Sequence, residues 1–192
     1  MKNRLPLLVP YRLDRGQRAL YDRIAESVEP WAKKNGFAAL SGDGSLLGPF
    51  NALLYSPTVS ATSMDYFDSD RAHSTLSASV REVIILTVAS FFGSEYEIYA
   101  HMLVASKMSV NQETVHAIVD DRVSAESSMI DSERLAYLFV HAFLHEHRVS
   151  AELYSRAEQT FGRQGLVDIV HLTSLYMMTS MVLNVFEVPA PG

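Results

Sequence analysis

The sequence predicts an all-α fold built around a central antiparallel helix hairpin, and three observations support this prediction. Apolar residues recur at helical spacing along most of the 192 residues, and no segment shows the sustained two-residue alternation of a β-strand. Glycine, proline and capping residues divide this pattern into helix-sized segments. The two clearest helical segments, 77–92 and 94–108, are separated by Gly93 alone, so we expect them to pack antiparallel.

Residues 1–75 are predicted to form an N-terminal arm followed by helices. Prolines at positions 6 and 10 oppose helix formation and favour an extended arm over the first 13 residues. Asp14 is the expected N-cap of a helix from Gln17 to Lys34, because its carboxylate can accept from free backbone N–H groups. Gly36 is expected to end that helix.

A glycine-rich loop follows over residues 36–48. A loop of this length is either a plain connector or one wall of a pocket. Beyond it, Pro49 suits the first turn of a short helix over residues 49–55. A more polar helix is expected from about Pro57 to Arg71.

Residues 76–192 are predicted to form the core of a single domain that spans residues 1–192. Six helices are expected there, and Ser77, Ser94, Asp131 and Ser150 are the expected N-caps of four of them. Their expected bounds are Ser77 to Phe92, Ser94 to Met108, Asn111 to Asp120, Asp131 to His147, Ser150 to Phe161 and Gly165 to Val188, with a connector over 121–129.

The composition excludes several classes of protein. Hydrophobic residues make up 48% of the chain, enough for a sizeable core, while the net charge is −6 with a pI near 5.6. A mildly acidic chain without a basic cluster is not expected to bind nucleic acid or an anionic membrane. The apolar segment 169–188 contains several polar residues, so it is predicted to be a buried or interface helix rather than a transmembrane one.

The chain has no cysteine. Disulfide bonds, thiol catalysis and cysteine-ligated metal sites are therefore excluded. The basic N-terminus is followed by a short apolar run that two prolines interrupt, which is not typical of a signal peptide. We therefore expect a cytoplasmic protein.

The hairpin contains the residues with the clearest chemical potential. Glu82 precedes Gly93 by 11 residues and His101 follows it by 8, which places them about 16 and 12 Å along their helices from the turn. They are expected to approach each other across the hairpin. Ser94, Glu97 and His101 share one face of the second helix.

Two interpretations of this group are open. In the first, Glu82 and Glu97 both face His101 and stabilise its cation, an arrangement suited to moving protons. In the second, Glu82 pairs with Arg81 or Arg71 at the surface, and His101 is a hydrogen-bonded core residue. Spacing alone favours the second interpretation, because a Glu-x-x-x-His pair is common on helices.

A wider pattern, from Leu76 to Ala117, resembles the carboxymuconolactone decarboxylase and alkylhydroperoxidase D (AhpD-like) superfamily. The resemblance rests on R-E at 81–82 before an apolar helix, Y-E-I-Y-A-H at 96–101, and A-S-K-M-S at 105–109 leading into E-T-V-H-A-I at 113–118. Weaker similarities extend over most of the chain. It implies an AhpD-like helical domain with an N-terminal helical extension.

In thiol members of this superfamily, a glutamate, a Cys-x-x-Cys pair and a histidine form a proton relay, and their spacing corresponds to Glu82, Ser94, Glu97 and His101. The glutamate and histidine are kept here, whereas Ser94 and Glu97 stand at the two cysteine positions. A thiol–disulfide cycle is therefore excluded, and with it thiol peroxidase activity.

Decarboxylase-type members use glutamate and histidine, so the resemblance implies proton-transfer chemistry, decarboxylation or isomerisation, on a small unsaturated or lactone carboxylic acid. The expected catalytic residues are Glu82, Glu97 and His101, with His101 as general acid. Four residues are expected to contact the substrate. Arg81 is expected to bind the substrate carboxylate, and Tyr96 or Tyr99 to donate to the oxyanion that develops on the substrate. Ser94 is the fourth expected contact.

The resemblance also implies a homo-oligomer, a trimer or a hexamer, with the apolar segments 84–92 and 169–186 supplying the interface. The alternative to an enzyme is a non-catalytic oligomeric member that binds a small ligand. No cofactor is expected.

His141 and His145 lie four residues apart on a predicted helix, a spacing that can bind zinc. No third ligand is evident from the sequence, so an ordinary helix end is the favoured interpretation and no metal site is predicted. Met177, Met178 and Met181 are expected to pack in the core or an interface.

Overall fold

A computed structural model describes residues 4–108, 110–124 and 127–191. Over these ranges the chain forms one 3₁₀ turn, Pro10–Arg12, and eight α-helices: α1 Arg15–Asn35, α2 Phe50–Leu53, α3 Pro57–His73, α4 Ala78–Phe92, α5 Glu95–Lys107, α6 Gln112–Val119, α7 Asp131–Glu146 and α8 Ala151–Val185. The described residues contain no β-strand, only an isolated bridge between Leu40 and Leu46. The all-α prediction is confirmed.

Helix α4 lies at the centre of the molecule and packs against α5, α6, α7 and α8. It contributes Ile84 and Val88 to a core shared with α7 and α8, and Val83 and Leu86 to a second core shared with α6. These four side chains are completely buried within one chain. Most of segment 84–92 is therefore unavailable for a contact between subunits, contrary to the prediction, and Phe91 is its exposed large apolar residue.

The hairpin forms as the spacing predicts. The Ser77 hydroxyl accepts from the Val80 N–H at 3.3 Å and caps α4. Gly93, with a φ of 60°, ends α4 in the left-handed conformation that glycine adopts without strain. Ser94 is not a side-chain cap, which corrects the prediction: its hydroxyl donates to Asn184 Oδ1 on α8 at 3.0 Å.

The other expected caps have mixed outcomes. Asp14 and Gln17 form a reciprocal capping box at the start of α1, and Ser150 accepts from the Leu153 N–H at the start of α8. Asp131 is not a cap, because α7 begins at Asp131 itself and Ile130 is the N-cap. The carboxylate of Asp131 instead lies in the first turn, where the helix dipole favours negative charge.

The N-terminal arm is less extended than predicted, because Pro10–Arg12 forms a helical turn. Asn51, almost fully buried, holds the arm: it accepts from the Leu8 N–H at 2.9 Å and donates to the Pro6 carbonyl at 3.0 Å. The first three residues of the predicted arm lie outside the described ranges.

Helix α8 joins the two helices expected at the C-terminus. Gly162, with φ 67° and ψ 175°, interrupts the helical conformation between them. Leu166, Ile169 and Leu172 pack in the core with α4 and α7. Helix α8 is long and apolar enough to span a membrane, but the core helices of soluble proteins can have the same length and composition. In its most apolar stretch, 44% of the residues are buried inside the protein.

Candidate active site

A cavity of about 310 Å³ lies between α1, α3, α4, α5 and α8. Its walls are mostly apolar and include Trp31, Phe37, Phe50, Phe67 and Ile85. Phe37 belongs to the glycine-rich loop 36–48, so of the two interpretations of this loop the structure supports the pocket wall. The cavity size matches ligands with about one ring.

Glu82, Glu97 and His101 meet at this cavity. His101 Nδ1 lies 2.8 Å from Glu82 Oε2, and His101 Nε2 lies 3.2 Å from Glu97 Oε2. All three side chains are at least nine-tenths buried. Glu82 comes from α4, whereas Glu97 and His101 come from one face of α5, as the hairpin geometry predicted.

The two carboxylates set the charge of His101. Burial by itself lowers the pKa of the imidazole, but the charges and hydrogen bonds of Glu82 and Glu97 outweigh burial and raise the pKa from 6.5 to about 10. The ring is therefore held as a cation at neutral pH, with Nδ1–H donating to Glu82 and Nε2 in an ion pair with Glu97. A buried cation between two buried anions leaves this group with a net charge of −1.

Arg81 also faces the cavity. Its Nη2 donates to Asp70 Oδ2 at 2.6 Å, and the two side chains are 18% and 6% exposed. Arg81 Nη1 is buried and has no hydrogen-bond partner among the described residues. The interpretation in which Glu82 pairs with Arg81 or Arg71 at the surface is wrong, because Glu82 pairs with His101 and Arg71 with Asp68.

Tyr96 contributes a second polar group without a partner. Its hydroxyl is buried and makes no hydrogen bond to a described residue, and the residue lines the cavity. Burial, assisted by the charge of Glu97, raises the pKa of the phenol. Tyr96 packs directly on Gly48, which has a φ of +63°; a Cβ there would lie 2.4 Å from the ring.

Ser94 and Tyr99, the other expected substrate contacts, do not line the cavity. The Ser94 side chain is buried and bonded to Asn184. The Tyr99 ring packs edge-on against Phe37 and Tyr96, with ring centroids 6.3 Å apart in both pairs. The structure therefore brings together Arg81, Tyr96 and the Glu–His–Glu group but not these two residues.

Sequence reasoning missed two polar residues of the site, Asp70 and Tyr176. The Tyr176 ring lies edge-on to His101 with centroids 5.1 Å apart, and burial together with the charges of Glu97 and Glu82 raises the pKa of its phenol well above 10. Tyr176 is one of several polar residues in an otherwise apolar helix, a signal that points to a polar neighbour. Asp70 has no comparable local signal.

Comparison with known proteins gives a family match over part of the chain and several solved structures with a similar fold. The sequence model of the Carboxymuconolactone decarboxylase family matches residues 57–130. An uncharacterized peroxidase-related protein with an alkylhydroperoxidase AhpD core, from Ralstonia eutropha JMP134, is structurally similar, with a TM-score of 0.76 and 14% identity over 98% of this chain and 92% of that chain. The chain therefore has the fold of AhpD-like proteins, and its residues 57–130 are similar to the Carboxymuconolactone decarboxylase family.

Other solved structures have a similar fold. A peroxidase-related protein from Silicibacter sp. TM1040 has a TM-score of 0.71 and 16% identity, covering 99% of this chain and 92% of that chain. The debrominase Bmp8, as a cysteine-to-alanine variant bound to 2,3,4-tribromopyrrole, has a TM-score of 0.70 and 14% identity, covering 100% and 95%. None of the curated proteins compared with the sequence matches it.

Proposed function

We propose that this protein catalyses proton transfer, decarboxylation or isomerisation, on a small unsaturated or lactone carboxylic acid. One observation carries the proposal: His101 lies between two buried carboxylates on the wall of an apolar cavity. Burying three ionised groups costs several kcal/mol in solvation, so such groups concentrate at functional sites. The cavity size and the two arginines in its lining, Arg71 and Arg81, favour a small anion as substrate.

Arg81 is the proposed contact for the substrate carboxylate. Its Nη2 is held by Asp70, which fixes the guanidinium, while the buried Nη1 still needs an acceptor. A carboxylate oxygen would satisfy that N–H with a charge-assisted hydrogen bond. The apolar walls would then contact the unsaturated part of the acid. Binding of 2,3,4-tribromopyrrole by a structure of this fold supports a small unsaturated ring as ligand class.

The two distances to His101 assign different tasks to the glutamates. The shorter bond, 2.8 Å, makes Glu82 the anchor that fixes the ring and its charge. Because both ring nitrogens are occupied, a proton leaves the ring through a carboxylate. The 3.2 Å pair with Glu97 is the proposed route, so Glu97 passes the proton from His101 Nε2 to the substrate carbon.

Tyr96 is the proposed donor to the oxyanion that develops when carbon dioxide leaves and the electron pair enters the conjugated system. The raised pKa keeps the phenol protonated. Its hydroxyl, without another partner among the described residues, is available to donate. Such a donor stabilises the dienolate until its carbon is protonated.

We also propose that the chain acts in the cytoplasm as a homo-oligomer, a trimer or a hexamer. Val167, Val170, Met181 and Val185 are exposed on α8 and recur at spacings that place them along one stripe. A second copy of the chain would cover this stripe. Light scattering on the eluting protein measures the number of chains, and a monomer at micromolar concentration would contradict the proposal.

The enzymatic proposal is tested with 4-carboxymuconolactone as substrate and carbon dioxide release as readout. Glu97→Gln keeps the side-chain size and is expected to lower turnover about 10²- to 10⁴-fold. Glu95→Gln is the matched control, because Glu95 is exposed on the first turn of the same helix. Arg81→Gln is expected to raise KM more than it lowers kcat.

Turnover that is equal in Glu97→Gln and Glu95→Gln would reject the proposed proton route. No release by the wild type would reject this acid as the substrate. Equilibrium dialysis of the acid then separates the remaining interpretations: binding that depends on Arg81 without turnover would favour the non-catalytic ligand-binding function.

A further inference from the structure

A second cavity, about 220 Å³ in volume, lies between α4, α6 and α7. It shares no lining residue with the cavity of the candidate active site. Helix α4 separates the two cavities: Glu82 and Ile85 face the first, whereas Thr87 and Ser90 face the second, on the opposite side of the helix. The second cavity therefore needs its own explanation.

Asp121, His141 and His145 converge at this second cavity. One possible ligand atom from each residue lies within 4.8 Å of the others. The His141 and His145 rings are stacked with centroids 4.1 Å apart, as expected for an i, i+4 pair on one face of α7. The third ligand is not visible in the sequence, because Asp121 precedes His141 by 20 residues and belongs to a different segment.

The spacing of these atoms suits one metal ion. Two atoms that are each about 2.1 Å from a tetrahedral ion lie about 3.4 Å apart. His141 Nε2 and Asp121 Oδ1 are 3.3 Å apart, close to that separation. The other pairs of ligand atoms lie no more than 4.8 Å apart. Small side-chain rotations would bring them to the same ion, since these side chains are partly or fully exposed.

The backbone holds Asp121 in place without using its carboxylate. The Asp121 N–H donates to the Ile118 carbonyl at 3.1 Å, and the Ser90 hydroxyl donates to the Val119 carbonyl at 2.9 Å. The adjacent cation, Arg122, pairs with Asp120, so the ion pair of Asp121 is with His141. The carboxylate is thus positioned by the turn and directed at a histidine.

We propose that Asp121, His141 and His145 bind a divalent transition-metal ion, with Zn²⁺ as the best match. Two imidazoles and one carboxylate are a common ligand set for zinc, and three protein ligands leave a fourth position for water or an anion. The open position would face the second cavity. Bound metal would also connect the turn after α6 to α7.

The test uses the full chain without a histidine tag, stripped of metal with a chelator. Zn²⁺ affinity is measured by competition with a chromophoric chelator, and Co²⁺ absorption reports the coordination number. We expect one ion per chain and at least tenfold weaker Zn²⁺ binding in Asp121→Asn, His141→Ala and His145→Ala. His116→Ala is the matched control, because it removes an exposed histidine from the neighbouring α6 and should leave affinity unchanged.

Several outcomes would overturn the site. Binding of less than one ion per chain at micromolar concentration would reject it, and so would an equal loss of affinity in His116→Ala. Weak binding in the two α7 variants with full affinity in Asp121→Asn would reject the three-ligand geometry in favour of an ordinary histidine pair. Circular dichroism of each variant separates lost ligands from lost folding.

Discussion

Histidine and carboxylate meet on both sides of α4, but in opposite surroundings. Around His101, all side chains are buried and both ring nitrogens are occupied by carboxylates. Around His141, the histidine is 35% exposed and its partner Asp121 is 61% exposed. The first group is closed to solvent, whereas the second is open to solvent and has ligand atoms that a metal ion can reach.

The difference shows how burial decides the chemistry of the same residue types. In the buried group, low polarisability of the surroundings strengthens the attraction between charges and holds a proton on the ring. In the open group, water screens that attraction, and the exposed ring nitrogens are accessible to a metal ion. The same pair of residue types is thus proposed for proton transfer on one side of α4 and for metal ligation on the other.

The largest expected difference between the two groups is in folding stability. His101→Ala leaves two buried carboxylates without a cation and is expected to lower the free energy of unfolding by about 3–5 kcal/mol. His145→Ala in metal-free protein should cost less than about 1 kcal/mol, since the residue is exposed. Urea unfolding of both variants measures this, and similar losses would remove the contrast between the groups.

The second expected difference is in pH dependence. Because the folded pKa of His101 is raised, its stabilisation is complete below the unfolded value of about 6.5 and is lost as the pH rises toward 10. Between those values the folded state holds one more proton than the unfolded state, so the free energy of unfolding should fall by about 1.4 kcal/mol per pH unit. Urea unfolding from pH 7 to 9.5 measures the slope. His101→Gln should flatten it, whereas His145→Gln should not.

A third test uses glycines to compare tight and open packing. Gly48→Ala places a Cβ against the Tyr96 ring and requires a left-handed alanine, so we expect a loss of about 1–3 kcal/mol. Gly42→Ala, in the same loop, is the control, because its Cβ would meet no atom within 4 Å. Thermal unfolding compares the stability of the two variants. An unchanged stability of Gly48→Ala would mean that the Tyr96 ring moves aside at little energetic cost.

The smallest effect is expected at the open group. Asp121→Asn removes a surface pair with His141, so metal-free protein should change in stability by less than about 1 kcal/mol. The same measurement with saturating Zn²⁺ should separate the variant from the wild type. A large loss without metal would show that Asp121 supports the fold directly.

The sequence predicts best what depends on short-range geometry. The positions of Glu82, Glu97 and His101 follow from helix rise and one tight turn, and the structure brings them together as expected. Asp70, Tyr176 and Asp121 are missed because each reaches its partner through packing between distant segments. Sequence patterns within one helix or loop contain no information about contacts with such distant segments.

The caps illustrate the same limit on a smaller scale. Ser77 and Ser150 cap their helices as predicted, since nothing competes for their hydroxyls. Ser94 has the same local pattern but lies beside Asn184 of α8, which takes its hydrogen bond. A tertiary partner thus overrides a local preference that the sequence shows correctly.

The contact between Gly48 and Tyr96 has a consequence for the evolution of related sequences. A larger residue at position 48 requires a smaller ring at position 96 or a displaced loop, because no space lies between them. Substitutions at the two positions are therefore expected to occur in pairs among homologues. Paired substitutions at positions 48 and 96 would divide the homologues into groups with different cavity shapes, and hence with different ligands.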